Sequence, residues 1–305
     1  MKNRINLACA RALKRLGQVY SCPKDQRVLR LNNDTNLLKI IACLCMLSDH
    51  AGKMLFSSGA FQKLLYMRQT GEWAFLFPAG NIMRIIGRIA MPLFAYGIAV
   101  GAAYSRNVWK YAVRMLIVGI LVHPLYMTAM GHAKMGVFDW AHNFYRLDLI
   151  YDFFYANKGN IFFTLAAGAL ILGAVRAKSP WLLVTFVLLA WMFQAKLDYG
   201  IKGVLLICLF YVFLDKPLVS FAAVFLFMWY WGMPNYFTRG LTSSNLQLYA
   251  LYALPLIYLP VRKRRVRLPK WVFYAFYPAH LVLIYLLVKY PEPIQYLERM
   301  ISQWL

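Results

Sequence analysis

Apolar stretches separated by short polar segments recur from residue 38 to residue 289 of the chain. A helix needs about 20 apolar residues to cross a bilayer, and several of the stretches are shorter than that. The pattern predicts an all-α, polytopic transmembrane helical bundle of about nine spans, with eight or ten as the alternatives. The predicted spans are 38–57, 82–104, 111–130, 160–175, 181–195, 200–214, 218–233, 246–260 and 271–289.

The overall composition is that of a membrane protein. Of the 305 residues, 61% are hydrophobic and 15% are charged, whereas soluble domains average about 45–50% apolar and about 25% charged residues. We therefore expect no soluble catalytic domain. The net charge of +23 would suit a nucleic-acid partner, but the basic residues are spread over the loops between spans, as membrane topology requires. No nucleic-acid binding is predicted.

The distribution of lysine and arginine orients the predicted bundle. With the N-terminus in the cytoplasm, the inside segments collect 21 of the 34 lysine and arginine residues, in agreement with the positive-inside rule. The run Val261–Lys270 is the strongest single signal. We expect a multi-pass protein of the bacterial inner membrane with a cytoplasmic N-terminus.

The chain is divided into a membrane domain with a segment on either side. Residues 1–36 are a basic cytoplasmic segment, since the first thirty residues hold eight lysines and arginines and a single acid. This segment is either an amphipathic helix on the anionic lipid surface or a disordered tail. Residues 37–290 form the membrane domain and residues 291–305 a C-terminal tail. The five cysteines form no CxxC pair and are interpreted as free thiols, and no metal site is predicted.

Charged side chains inside the first two predicted spans are the most informative feature. Arg84 and Arg88 lie one helical turn apart, where each costs about 2.5–3.5 kcal/mol to place in hydrocarbon. Asp49, in the preceding span, is expected to neutralise one of these arginines or Lys53, which leaves His50 to face a cavity. The alternative is that an Asp49–Arg88 ion pair only locks two helices together.

Polar residues distant in the sequence fall at a similar depth of the oriented bundle. His50 lies just beyond the membrane midplane, both arginines lie in the outer half, and His280 lies at mid-membrane in the last span. Histidine titrates near neutral pH and so suits general-base chemistry, although it can also bridge helices. We predict a cavity open to the outer side, with further polar candidates at Asn160, Thr164, Asp198 and Tyr199.

Five short motifs occur in order within residues 37–290. They are SDH at 48–50, RIIGRIAMPLFAYGIAVG at 84–101, GNIFFTLAAG at 159–168, DYGIKGVLLI at 198–207 and FYPAHLVLI at 276–284. The set resembles the TraX family, inner-membrane proteins that N-acetylate pilin and that include fimbrial assembly relatives. Because the family is grouped with multi-spanning acyltransferases, the resemblance implies an acyltransferase-3-like fold.

The resemblance implies transfer of an acetyl group from acetyl-CoA to an amine or hydroxyl. The pilin N-terminal amine is the best-known acceptor, while a polysaccharide hydroxyl or a lipid headgroup also fits a site that opens outward. By the same resemblance, His50 is the general base or a transient acyl carrier, and Asp49 orients the site or neutralises an arginine. Arg84 and Arg88 hold the CoA phosphates or stabilise the oxyanion.

The remaining family-implied roles concern the donor and the last span. Asn160 and Tyr199 are candidate hydrogen-bond donors to the acetyl carbonyl, with Thr164 as a further cofactor-binding candidate, and His280 is a second base or a helix-bridging group. Since acetyl-CoA is cytoplasmic, its pantetheine arm must thread through the bundle, so Arg84 and Arg88 are favoured at the reacting end. The candidates for the nucleotide are Arg106, Lys110, Arg114 and the 262–270 cluster.

Two other functions fit the same residues. A transporter or exporter would use Asp49 and His50 as a proton relay, with the arginines reading an anionic substrate. A non-enzymatic assembly partner for pili or envelope polymers would use the polar cluster only to hold helices together.

Overall fold

The fold of the described residues is helical. The computed structural model describes residues 35–57, 78–131, 159–233, 246–259, 269–290 and 292. Helices make up most of these ranges, which contain no strand, so the all-α prediction is confirmed for them. Residues 1–34 of the predicted N-terminal segment, most of the 262–270 basic cluster and nearly all of the predicted C-terminal tail lie outside the described residues.

The helices coincide with the apolar stretches of the sequence. A π-helical turn, Gly52–Ser57, extends the first α-helix, and a 3₁₀-helix, Leu246–Tyr252, leads into the ninth. In chain order the α-helices of the described ranges are α1 Thr35–Ala51, α2 Pro78–Arg88, α3 Ala90–Tyr104, α4 Val108–Ala129, α5 Ile161–Arg176, α6 Pro180–Met192, α7 Gly200–Val212, α8 Pro217–Gly232, α9 Ala253–Tyr258 and α10 Lys270–Lys289.

The described helices differ in whether they are long enough to cross a bilayer. Ile82–Tyr104, Val108–Ala129 and Trp271–Lys289 are long and apolar enough to do so. The helices α5 to α8, and the segment Leu246–Tyr258, are apolar but contain only 10–17 residues, fewer than the about 20 that a full crossing needs. The described part of the chain therefore has three candidate membrane spans, which supports a membrane protein without establishing the predicted nine.

Short capping signals set where several helices begin. The side chain of Asn107 accepts a hydrogen bond from the Lys110 backbone N–H and begins α4. Ser179 does the same for α6, whose first residue is Pro180. Such residues satisfy the N–H groups that a helix start leaves without an intrahelical acceptor.

Helix α3 lies in the interior of the bundle, where it contacts α1, α5 and α7. Ala95, Ala99 and Ala102 on α3 are completely buried. Small residues let helix backbones approach closely in a membrane, where apolar burial gives no driving force between helices. By contrast, Trp181 and Leu218 on α6 and α8 are 77% and 84% exposed, and an apolar exterior of this kind suits lipid.

The helix that carries the two arginines is interrupted beside them. α2 ends at Arg88 and α3 begins at Ala90. Pro92 has no backbone N–H, so the Arg88 carbonyl, four residues earlier, lacks its usual helical partner. The break separates the polar end of this segment, with Arg84 and Arg88, from the apolar length of α3.

Candidate functional site

A polar pocket of about 180 Å³ lies at the C-terminal end of α1. Its walls come from α1, α2, α4 and α10, from the first residues of α3 and α5, and from the residues just before α7. It brings together most of the polar residues that the sequence singled out, although they lie on helices distant in the chain. The polar and aromatic lining residues are Asp49, His50, Lys53, Arg84, Arg88, Tyr126, Asp198, Tyr199 and Tyr277.

Two glycines allow α1 and α2 to approach closely at this pocket. An ideal Cβ built on Gly87 would lie 2.2 Å from the Asp49 Cβ, and one built on Gly52 would lie 2.8 Å from the Met83 Cβ. Both distances are far below the about 3.5–4.0 Å of an ordinary carbon contact. The Ser48 hydroxyl also donates to the Met83 carbonyl at 3.0 Å. Glycine at these positions is therefore what places Asp49 against α2.

The close approach pairs Asp49 with Arg88. The Arg88 Nη2 donates to the Asp49 Oδ1 in an ion pair, and the Arg88 Nε donates to the Arg84 carbonyl at 3.4 Å. The two paired side chains are only 16% and 17% exposed. Because a guanidinium engaged in this way is fixed in orientation, Arg88 holds α2 against α1 and keeps its charge at the pocket wall.

The two histidines form a directed hydrogen-bond chain. The His280 Nδ1 lies 3.0 Å from the Phe276 carbonyl, and the His280 Nε2 lies 2.9 Å from the His50 Nδ1. A carbonyl only accepts, so the His280 Nδ1 carries the proton, and in the neutral ring its Nε2 is an acceptor. His50 must then donate from Nδ1, which leaves the His50 Nε2 as its unprotonated, basic nitrogen. The tautomers follow from the hydrogen-bond network.

Aromatic packing fixes the ring of His280. It stacks on the His50 ring with centroids 5.1 Å apart and on the Phe276 ring at 5.2 Å, while Tyr277 meets it edge-on. The side chain is 3% exposed and is not part of the pocket lining. His280 therefore lies behind His50 and orients it, and does not itself face the space that a substrate would occupy.

The pocket carries more positive than negative charge. Lys53, Arg84 and Arg88 face the acids Asp49 and Asp198 across a small volume. Among the described residues, the buried Nε of Arg84 has no hydrogen-bond partner. Buried donors without a partner are rare in folded proteins, and this one lies at a site with net positive charge. The arrangement suits an anionic group or an oxygen that becomes negative during a reaction.

Asn160 and Thr164 are buried away from this pocket. Asn160 is 0% exposed, donates from Nδ2 to the Gly119 carbonyl at 2.8 Å, and accepts from the Phe162 N–H at 3.0 Å. Its amide is therefore used to begin α5 and to join it to α4. The Thr164 Oγ1 is buried without a hydrogen-bond partner among the described residues, and it does not line the pocket. Tyr199 does line the pocket.

Tyr126 and Tyr277 line the pocket although the sequence reasoning gave them no role. Tyr277 precedes His280 by three residues, so the helical period alone places both on one face of α10. The ring centroid of Tyr126 lies 6.4 Å from that of His50. No sequence signal identifies Tyr126, because only the packing of α4 in the bundle brings it there.

Comparison with known proteins gives one family. The model of the family described as "TraX protein" matches residues 34–288, a range that includes all five motifs, and confirms the resemblance. The chain is also similar to a Dichelobacter nodosus protein named "Probable fimbrial assembly protein FimC, serogroup H1". The two are 24% identical over 267 residues, which cover 81% of this chain and 92% of that protein. No solved structure matches the chain.

Proposed function

The chain belongs to the TraX family, and we propose that it is a multi-pass inner-membrane acetyltransferase that moves an acetyl group from acetyl-CoA to the N-terminal amine of a pilin or fimbrial subunit. The observation that carries the proposal is the Phe276–His280–His50 hydrogen-bond chain, which ends at a basic nitrogen of His50, in the pocket that Arg84 also lines. The pilus-related acceptor draws support from the name of the Dichelobacter nodosus relative.

In the proposed reaction, His50 is the general base. Its Nε2 takes a proton from the acceptor nitrogen as that nitrogen attacks the thioester carbonyl carbon. Because the Nδ1 of His50 donates to His280, the positive charge that develops on the His50 ring is shared with a second imidazole and, through it, with the Phe276 carbonyl. General-base catalysis of this kind contributes about 10²–10⁴-fold in rate.

Arg84 stabilises the oxygen of the same carbonyl as it becomes negative. Its guanidinium offers fixed donors at the pocket wall, and its Nε has no competing hydrogen bond among the described residues. Collapse of the tetrahedral intermediate breaks the carbon–sulfur bond, and the departing thiolate takes the proton that His50 holds. The products are the N-acetylated acceptor and CoA.

Asp49 and Arg88 position these groups without reacting. Their ion pair fixes α2 against α1, and so sets where Arg84 lies relative to His50. Loss of either partner would leave a buried charge without compensation, which is costly in a protein interior. We assign them, with His280, as positioning residues.

Acetyl transfer by purified protein tests this proposal. The wild type and His50→Ala are purified in lipid nanodiscs and incubated with labelled acetyl-CoA and a peptide carrying the N-terminal sequence of the host pilin. The acetylated peptide is quantified by mass spectrometry. We expect His50→Ala to lose about 10²–10⁴-fold in rate. The matched control is His123→Gln, at a buried histidine that does not line the pocket, which should retain most of the activity.

Either of two results would contradict the proposed acetyltransferase activity. One is a lack of acetyl transfer by a well-folded wild type, and the other is a His50→Ala variant as active as the wild type. If His50→Ala also restores pilus assembly in cells that lack the protein, the chain acts as a non-enzymatic assembly partner. The relative's printed name is equally consistent with that role.

A further inference from the structure

A second, larger cavity of about 440 Å³ adjoins the polar pocket. It lies along the N-terminal part of α1, between α3, α4, α5 and α10. Met46, Ile161 and Tyr277 line both spaces. The two cavities are therefore neighbours that share one wall. We call the larger one the donor chamber.

A single face of α1 runs along both cavities. Lys39, Cys43 and Met46 line the donor chamber, and His50 and Lys53 continue the same row along the polar pocket. These positions are three or four residues apart, so the helical period places them on one side of the helix. Lys39 and His50 are separated by about 16 Å along the axis, at about 1.5 Å per residue.

Tyr277 forms part of the shared wall between the cavities. Its side chain is 2% exposed, and Met46 and Ile161 complete this wall. A ligand that extends from the donor chamber to His50 must therefore pass this wall beside Tyr277.

The donor chamber is basic at its end distant from His50 and largely apolar inside. Lys39 and Arg114 line it, with the Lys39 Nζ 5.4 Å from the centre of the Phe273 ring. Inner walls include Ile98, Met115 and Leu165, and none of the described lining residues is acidic. Cations beside an apolar recess are what a ligand with a phosphate head and an extended, weakly polar arm requires.

We propose that the donor chamber binds the phosphopantetheine arm of the acetyl-CoA donor, with Lys39 and Arg114 on its phosphates and the thioester passing Tyr277 to reach His50. The volume lies within the about 300–1,000 Å³ range of small-molecule sites. The assignment rests on the proposed acetyl transfer and deepens it. It selects Arg114 from the basic residues considered on sequence grounds, because Arg114 lines the chamber and Arg106 and Lys110 do not.

Gly97 offers a way to fill the donor chamber without disturbing the polar pocket. It lines the chamber, and the nearest heavy atom to an ideal Cβ there is the Lys39 Cε at 4.0 Å. Gly97→Leu therefore projects into open space. The matched control is Val113→Leu on the exposed side of α4. A second variant, Arg114→Gln, removes a positive charge from the chamber, and its control is Lys110→Gln, one turn earlier on the same helix.

Binding of CoA and acetyl transfer are measured on the full-length chain in nanodiscs. We expect Gly97→Leu to weaken CoA binding about tenfold or more, equal to about 1.4 kcal/mol. Arg114→Gln should weaken it several-fold, with a reduced dependence on salt. Val113→Leu and Lys110→Gln should bind as the wild type does. His50→Ala should bind CoA normally while losing acetyl transfer.

The outcomes separate this proposal from the one it rests on. If wild type binds CoA and transfers acetyl groups but Gly97→Leu binds CoA equally well, the donor chamber is the wrong site and the enzyme assignment stands. If the wild type neither binds CoA nor transfers acetyl groups, both proposals fall. Thermal unfolding of each variant establishes that a loss of binding is not a loss of fold. CoA should raise the unfolding temperature of the wild type. If it does not raise that of a folded Gly97→Leu, the result supports CoA binding in the donor chamber.

Discussion

Replacing Gly87 by alanine should force α1 and α2 apart at the polar pocket. The added Cβ would lie 2.2 Å from the Asp49 Cβ and 2.7 Å from the Asp49 Cα. Ordinary carbon contacts lie at about 3.5–4.0 Å, so the helices must separate by roughly 1 Å or more. One of the two clashing atoms belongs to the backbone, and a rotamer change cannot relieve it.

The size of the effect follows from this displacement. Overpacking of a well-packed interior costs about 1–3 kcal/mol, which outweighs the roughly 1 kcal/mol that glycine-to-alanine gains in helix propensity. The same movement stretches the Asp49–Arg88 ion pair and shifts Arg84 relative to His50. Since a misplacement of about 1 Å can cost about 100-fold in rate, we expect a loss of that order in acetyl transfer.

Gly97→Ala is the control, because it makes the same chemical change on α3, where the new Cβ meets only the Lys39 Cε at 4.0 Å. Thermal unfolding in detergent is measured for both variants, and acetyl transfer in nanodiscs is measured for Gly87→Ala and the wild type. Gly87→Ala should unfold at a lower temperature than the wild type, and Gly97→Ala at the same or a higher one. If both variants unfold at the same temperature and Gly87→Ala transfers acetyl groups as the wild type does, the close approach at Gly87 does not set the site.

Three further variants test the roles assigned to single side chains. His280→Phe keeps a ring against Phe276 but removes the acceptor of the His50 proton. We expect kcat to fall about 10–100-fold with little change in the acceptor KM, because the variant loses a group that orients the general base. An unchanged kcat would contradict the role assigned to the hydrogen-bond chain. Arg84→Lys keeps the charge but loses the planar set of hydrogen-bond donors. We expect kcat to fall about 10²–10³-fold, the usual effect of removing one hydrogen-bond donor to an oxyanion. A change in CoA affinity alone would instead indicate that Arg84 binds acetyl-CoA. Asn160→Ala removes the cap of α5 and should lower stability by about 0.5–2 kcal/mol in chemical unfolding, with the activity of the folded fraction kept; a selective loss of activity in a stable protein would instead give Asn160 a catalytic role.

Sequence reasoning located the helices because their cause is local. A backbone in lipid must satisfy its hydrogen bonds internally, so long apolar stretches such as 271–289 become helices wherever they occur, here α10 from Lys270 to Lys289. Span number does not follow in the same way. Helices such as α6 and α7 have 13 residues each. Whether such a helix crosses the bilayer depends on how it packs against other helices, and its own sequence does not determine that.

Part of the polar site can also be predicted from the sequence, because the cost of placing a side chain in lipid is a local property. Asp49, His50, Arg84 and Arg88 were identified because charge within an apolar span is expensive and so must have a partner or a cavity. The structure places all four on one pocket. Asn160 is a candidate hydrogen-bond donor on sequence grounds, but an asparagine before an apolar stretch is also typical of a helix N-cap. In the structure its amide caps α5.

Only the tertiary structure decided how these residues are connected. The direction of the hydrogen-bond chain depends on α10 bringing His280 within 2.9 Å of His50, and the choice of Arg88 over Arg84 as the partner of Asp49 depends on the contact at Gly87. The donor chamber exists only between packed helices. Sequence determines which residues cannot tolerate lipid, because that is a property of each side chain, whereas packing determines which of them meet, because distances across a bundle are set by all of its helices together.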